Sequence, residues 1–430
     1  MHNIDGIKFS VVIPTRERAS TLGASIRTCV TQDYDNFEII VSDNDSQDDT
    51  KEIVEAFRDQ RIIYVNTGKR VAMSENWEFG LKQVSGDFVI FLGDDDALLP
   101  GALKELRDLI KKYGCAAISW HGASYYWPCC VIDRAPNFLT IPLKNSISRR
   151  NGDSMLREVL SFKRSLYELP SIYRGVISRK IINTIKEKSN GQFFHALSPD
   201  FYSAIVLSAA VGTYYFSTKP YSIFGQSQHS MGAAFLYGPK EPDAGVEHKF
   251  FNEPNIPSHA KLALGPSTWL VLANAFMQAK EQFPPLAPYE IDLRELIKQA
   301  IDEMVHEPRE KFARVAAAVS EIAQKNSLGN YADELLKNTK NVPWINIGID
   351  VPGYNIFRHH FNVDCSIYGV RDVYQASIIC KLILEYQKAG MSFSLISIVK
   401  STLKLVINLM KRWYYAKREV KVNAGAIIKI

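Results

Sequence analysis

Three consecutive aspartates, Asp94, Asp95 and Asp96, follow the apolar run Phe88–Leu92 and a single glycine. Carboxylates held this close beside a buried strand repel one another and resist desolvation unless donors or a cation neutralise them. A hard divalent ion with oxygen ligands is the natural partner. Mg2+ or Mn2+ held by one or two carboxylates completes its shell with phosphate oxygens, which implies a nucleotide or diphosphate ligand. The alternative is a solvated acidic turn that caps the helix behind it, with Asp96 near its start. Polar clusters end other apolar runs too: Pro14-Thr15-Arg16-Glu17-Arg18, Asp43-Asn44-Asp45-Ser46, and Asn66 to Arg70 leading into Ser74-Glu75-Asn76.

The elements that must carry these residues are legible as two alternating periods. Short apolar runs at Phe9–Pro14, Phe37–Ser42, Ile62–Val65, Phe88–Leu92 and Ala116–Trp120 are separated by helix-length segments at Ala19–Gln32, Asp49–Phe57, Glu75–Gln83 and Gly101–Tyr113. Continuous apolar strands alternating with amphipathic helices predict an α/β fold, a parallel sheet covered on both faces with right-handed crossovers. Ligands of such sheets bind outside the carboxyl ends of the strands, where the polar clusters lie. No glycine-rich phosphate loop of the Rossmann or P-loop kind is present, so phosphate binding falls to a metal.

The segments FSVVIPTRERASTLGASIRTCVTQDYDNFEIIVSDNDSQDDT (Phe9–Thr50) and SGDFVIFLGDDDALLPGAL (Ser85–Leu103) together resemble glycosyltransferase family 2, with its GT-A fold. The resemblance is close over about the first 110 residues and diffuse past Cys115. It implies a nucleotide-sugar donor whose base and ribose meet Pro14, Thr15, Arg16 and Asp43, with Asn44 where many members have a second Asp. Family members often read Asp-x-Asp-Asp before a run ending in Pro. Anchoring on Pro100 makes Asp95 the metal ligand, joined by Asp96, with Asp94 on the ribose or diphosphate, while Gly93 stands where the family's first Asp would be. An inverting transfer also needs a base, and LSPDFYSAI (Leu197–Ile205) is similar to the family's downstream acidic helix start, which makes Asp200 the candidate. Ser198, Pro199 and Asp200 read equally well as an ordinary helix N-terminus.

Other polar residues have both functional and ordinary readings. Lys69 and Arg70 could meet a diphosphate or be solvated, and His229 could close over the nucleotide or be a loop residue. His195, Ser74 and Asn76 are weaker candidates, Ser74 reading equally well as a helix cap. Adjacent Cys129 and Cys130 pack, and the six cysteines show no C-x-x-C spacing, which excludes a zinc site or a disulfide framework.

Across 430 residues, 46% hydrophobic and 23% charged describe an ordinary globular protein of about two domains. We expect a GT-A domain over 1–235, a loop over 236–257, a mainly helical accessory domain over 258–391 interrupted at Pro284-Pro285, and a basic amphipathic helix over 392–430. The net charge is +5, but residues 392–430 carry eight Lys or Arg against Glu419, leaving −2 on the rest. Leu395, Ile398, Val399, Val406, Leu409, Met410 and Trp413 recur at helical spacing beside those cations, which suits either the interface of an anionic membrane or packing on the body. No secretory signal and no apolar stretch long enough to span a bilayer is present, so a cytoplasmic location, peripheral on the inner face of the cell membrane, is expected.

These readings converge on a metal-dependent (Mn2+ or Mg2+), inverting glycosyltransferase. It would move a sugar from a nucleotide-diphosphate donor, UDP by resemblance, to a glycan or lipid-linked glycan in surface polysaccharide synthesis. The alternative is a non-catalytic sugar-nucleotide-binding scaffold of the same fold. Nucleic acid is not an expected partner, since no base-stacking motif accompanies the basic tail.

Overall fold

The computed structural model describes residues 6–130, 136–228, 230, 258–343, 351–355 and 358–389. His229, the loop over 236–257 and the basic segment 392–430 lie outside them.

The first strands, β1 (Phe9–Thr15), β2 (Phe37–Asp43), β3 (Ile62–Asn66) and β4 (Phe88–Phe91), are parallel and separated by helices α1 (Ala19–Val30), α2 (Thr50–Glu55) and α3 (Met73–Leu81). β1 and β2 are almost wholly buried because β-branched and aromatic residues point to both faces. Val12, Ile40, Val89 and Phe91 pack on one side, and Val11, Ile13, Ile39, Val41 and Ile90 meet Leu22 and Ile26 of α1 on the other. The expected α/β architecture of the first 110 residues is present, with helix ends displaced by at most two residues.

After β4 come the two-residue strand β5 (Ala97–Leu98), α4 (Ala102–Tyr113), β6 (Ala117–Trp120), β7 (Ala123–Tyr126), β8 (Phe138–Pro142), β9 (Ile147–Asn151) and α5 (Gly152–Leu160). β10 (Gly175–Ser178), α6 (Arg179–Glu187), α7 (Pro199–Ala210), β11 (Thr213–Ser217) and β12 (Ser222–Gln226) follow. The main sheet runs β3-β2-β1-β4-β10-β6-β11-β9, with β10 antiparallel to both its neighbours. A second sheet contains β8, β7, β12 and β5 in that order. The pattern of the region after Cys115 is loose because these strands are short, and one of them, ISRRN of β9, is polar at four of its five residues.

Helices α8 (Thr268–Gln282), α9 (Leu293–Met304), α10 (Arg309–Lys325) and α11 (Gly329–Asn338) form the expected helical region, broken by a 3-10 turn at Pro284–Leu286. Phe276 and Ala279 of α8 share a core with Tyr202, Ile205 and Val206 of α7. The chain then returns to the second sheet: β13 (Gly353–Asn355) pairs with β14 (His360–Asp364), β14 pairs with β8, and α12 (Val373–Lys388) packs Ala376 and Cys380 against Tyr125 and Leu139.

One buried carboxylate ties β1, β2 and the entry to β4 together. Glu38 accepts from Lys8 Nζ and Ser85 Oγ on one oxygen and from Ser10 Oγ and the Ser85 amide on the other, at 2.6–2.7 Å. Burial alone would raise its pKa, but these donors win and hold it down to about 2. A depressed carboxylate contributes stability above its ordinary pKa that is lost as pH falls toward the folded value. Thermal melts should therefore show a loss between pH 4.5 and pH 2, and Glu38→Gln should lower Tm at pH 7 and flatten that acid limb.

Candidate functional site

The loops at the carboxyl ends of β1, β2 and β3 are stitched together. Glu17 and Asp45 both adopt left-handed backbone conformations. The Glu17 amide donates to Ser46 Oγ at 2.8 Å, Glu17 Oε1 accepts from the Gln47 amide at 2.9 Å, and Asp48 Oδ2 takes the Ala19 amide at the start of α1. Asp43 is spent inside this frame: one oxygen accepts from the Ser46 amide and hydroxyl, the other from Tyr64 OH at 2.7 Å and Asn66 Nδ2 at 3.0 Å. Asn44 pairs its side-chain amide with the backbone N–H and C=O of Val71, both at 2.8 Å, and so pins the chain after β3.

All three consecutive aspartates are buried. Asp96 folds back: Oδ2 accepts from Tyr173 OH at 2.5 Å and the Gly93 amide at 3.1 Å, and Oδ1 from the Gly225 amide at 2.7 Å. Gly93 makes this possible, because a Cβ there would lie 2.7 Å from Asp96 Oδ2 and 2.9 Å from Tyr173 OH. The departure from the family pattern at this position is thus steric. Asp95 Oδ2 accepts from the Ser227 amide and hydroxyl, and its carbonyl accepts from Trp127 Nε1 at 3.0 Å. Gly225 is equally constrained, since a Cβ would fall 1.7 Å from the Asp95 carbonyl oxygen. Asp94 faces the Arg18 guanidinium, with Nε 3.5 Å from Oδ1.

Electrostatically the cluster is short of positive charge. Burial pushes Asp94 up to about 6 against the opposing pull of Arg18, and burial with the charge of Asp95 pushes Asp96 up to about 7. Asp95 is raised by burial as well. Two buried polar atoms of the same corner have no hydrogen-bond partner: Thr15 Oγ1 and Arg18 Nη1. An orphaned hydroxyl and an orphaned guanidinium nitrogen next to carboxylates leave room for a ligand carrying both hydroxyl and anionic groups.

Fitness for a metal differs among the three. Asp96 has both oxygens engaged by protein donors, whereas Asp95 has one oxygen held by Ser227 and keeps Oδ1 for a cation. Among the described residues no group of three or more His, Cys, Asp or Glu side chains forms a protein cage. An ion of the Mg2+ type needs only one or two carboxylates when phosphate supplies the remaining ligands, so Asp95 with Asp94 beside it fits such a partial set.

Asp200 begins α7 with Pro199 at the first helical position, and its Oδ1 accepts from Ser198 Oγ at 2.5 Å. Burial raises its pKa, and its charge acts on Tyr173, the partner of Asp96. Pro14 and Arg16 are half-buried beside Thr15. Lys69 and Arg70 are exposed. Asn76 holds Ser42, and His195 lies against Ser189 and Gln192, so both knit the body together. Sequence reasoning assigned no role to Arg18, Tyr173, Trp127, Gly225 or Ser227. Arg18 was visible in the polar run after β1. The other four come from short strands and turns up to 132 residues from Asp95 and carry no local signal.

Comparison with known proteins adds to this geometry. Residues 10–151 match the sequence model of Glycosyl transferase family 2. A GalNAc(5)-diNAcBac-PP-undecaprenol beta-1,3-glucosyltransferase of Campylobacter jejuni is 45% identical over 133 residues, 30% of this chain and 40% of that protein. The UDP-Glc:alpha-D-GlcNAc-diphosphoundecaprenol beta-1,3-glucosyltransferase WfgD of Escherichia coli is 32% identical over 101 residues, 24% of this chain and 40% of that one. The chain thus spans about two fifths of the length of these relatives. The crystal structure of S. aureus TarS 1-349 in complex with UDP-GlcNAc covers 79% of this chain and 95% of its own at 16% identity, with a TM-score of 0.41.

The raised carboxylates have a measurable consequence. A folded-state pKa above the ordinary value of 3.8 contributes stability at low pH that disappears as pH rises through the folded value. Without added cation, the Asp94–Asp96 cluster should therefore cost stability between about pH 4 and pH 7, seen as a falling Tm. Asp94→Asn should reduce that slope.

Proposed function

We propose that this chain, whose residues 10–151 match the model of Glycosyl transferase family 2, moves a sugar from a UDP-sugar to a glycan carried on a lipid diphosphate. The observation that carries the reading is the buried carboxylate corner with its two orphaned donors, Thr15 Oγ1 and Arg18 Nη1. The donor class is supported by the name of the Escherichia coli relative, and the acceptor class by the names of both bacterial relatives.

In this reading Pro14, Thr15 and Arg16 receive the nucleoside, and Arg18 turns its free nitrogen toward the donor while holding Asp94. Asp43 and Asn44 act by fixing the loops around the nucleoside, since their own polar atoms are engaged by Ser46, Tyr64, Asn66 and Val71. Asp95 is the carboxylate that would hold a divalent cation, with Asp94 next to it, and Asp96 keeps the loop folded. A bound Mn2+ or Mg2+ supplies positive charge for the departing diphosphate.

Asp200 is the proposed base. An acceptor oxygen forms a bond to the anomeric carbon as the bond from that carbon to the β-phosphate oxygen breaks. The electron pair leaves with UDP, and the acceptor proton passes to the Asp200 carboxylate. A single displacement of this kind inverts the anomeric centre. Burial favours the role, because a carboxylate raised toward neutrality is a better proton acceptor than an ordinary one.

Calorimetry with UDP, with and without Mn2+, tests the donor site. Binding should tighten with Mn2+ in the wild type and lose that dependence in Asp95→Ala, whereas no UDP binding under either condition would overturn the assignment. Asp200→Asn should keep UDP affinity and lower kcat by about 10²–10⁴-fold. Loss of UDP binding in that variant would instead mark Asp200 as structural.

A further inference from the structure

On the far side of Tyr173 from the aspartates lies a second polar surface of opposite sign. The Arg174 guanidinium is clamped between two rings, its Cζ 4.0 Å from the centroid of Tyr167 and 4.0 Å from that of Phe224. Phe224 also stacks on Tyr173 at 5.8 Å, and its ring lies directly over Gly122, where a Cβ would meet it at 1.9 Å. Phe224 therefore joins Arg174 to the corner between β6 and β7, whose next residue is His121.

Strand register brings further basic residues to this corner: Lys144 and Arg358 as cations, and His121 and His360 as imidazoles whose pKa is lowered by burial and by the surrounding cations. β7 and β8 pair with Ser124 opposite Thr140, and continuing that register sets His121 opposite Leu143, next to Lys144. β14 pairs with β8 so that His360 lies opposite Pro142, and the Leu143 amide donates to the His359 carbonyl at 2.9 Å, which puts Arg358 at the same end. Lys144, Arg358 and His121 are exposed. Among the described residues Arg174, Lys144 and Arg358 form no ion pair, whereas nearby Arg150 is neutralised by Glu168 at 2.9 Å. Asp200 acts on Arg174 and Glu168 on His121, which leaves Lys144 and Arg358 as the cations of this corner in no ion pair among the described residues, an arrangement that an anion would relieve.

We infer that Arg174, His121, Lys144, Arg358 and His360 form a second anion site, which takes the phosphate or diphosphate of the acceptor. The inference rests on the transfer reading above and adds the place where the acceptor is held. Arg174 is rigid because both faces of its guanidinium are stacked, so it needs little ordering to meet a phosphate. Its charge also acts on the Asp200 carboxylate, the proposed base. The site lies at the same sheet edge as the aspartates: β6 runs parallel to β11 and antiparallel to β10, so the end of β6 and the start of β10 coincide.

The test uses the full chain, farnesyl diphosphate as a lipid diphosphate probe, and vesicles of phosphatidylglycerol as an anionic surface. Farnesyl diphosphate is titrated with and without UDP, and UDP is titrated separately. The double variant Lys144→Ala/Arg358→Ala should bind farnesyl diphosphate about tenfold or more weakly, with unchanged UDP affinity, vesicle binding and Tm. Lys144→Arg/Arg358→Lys should retain binding. No binding to the wild type, or equal binding to both proteins, overturns the site. Equal weakening of UDP would assign the cations to the donor, and a loss confined to vesicles would assign them to a membrane surface; either result overturns the acceptor role. Failure of UDP to bind the wild type strikes the transfer reading, whereas the diphosphate comparison is read independently of it.

Discussion

Three carboxylates buried at the carboxyl edge of β4 with one guanidinium among them are the constraint around which the structure is arranged. Removing a carboxylate from water is affordable to a fold only when donors replace the lost solvent. The replacements come from far along the chain: Tyr173 before β10, Gly225 at β12 and Ser227 beyond it, with Trp127 on the adjoining backbone. None of these belongs to the first four strands. The parallel half of the sheet provides the acidic edge, and the remaining elements make that edge tolerable.

Strand direction explains how they reach it. β10 lies antiparallel between β4 and β6, so the residues that precede it, Tyr173 and Arg174, arrive at the edge where β4 ends. A parallel strand in that position would have delivered its first residues to the opposite edge. β12 performs the matching task in the second sheet: paired with β5 on one side and β7 on the other, it runs Gly225 past the Asp95 backbone and leaves Ser227 on the carboxylate. The close passage of Gly225 and the fold-back at Gly93 forbid side chains at two points of the same loop. Both glycines are therefore part of the charge arrangement.

What the sequence could announce follows from this division. β1 to β4 and their helices were legible because strands buried on both faces are continuous apolar runs, and the helices between them are long enough to show their period. Asp94 to Asp96 stood out for the same reason, at the end of such a run. The role of Asp96 did not, because its partners Tyr173 and Gly225 lie 77 and 129 residues away. Asp43 illustrates the opposite case: its acidic character and position after β2 were visible, but not that Ser46, Tyr64 and Asn66 would use both its oxygens. β9, β13 and β14 escaped notice because strands of three to five residues with polar alternation lack a periodic signal.

Asp200 sits where the opposing fields meet. Its place in the first turn of the twelve-residue α7 favours the ionised carboxylate, as does the charge of Arg174, whereas burial disfavours it. Burial prevails, and the pKa is raised. The acidic corner and the cationic corner are joined by Tyr173 and Phe224, stacked at 5.8 Å, and the charge of Asp200 acts on Tyr173 as that of Arg174 acts on Asp200. A cation entering the first corner or an anion entering the second would relieve its local imbalance. An anion bound at the cationic surface beside Arg174 would weaken the pull that Arg174 exerts on Asp200, and so make its carboxylate a stronger proton acceptor at the moment an acceptor is present.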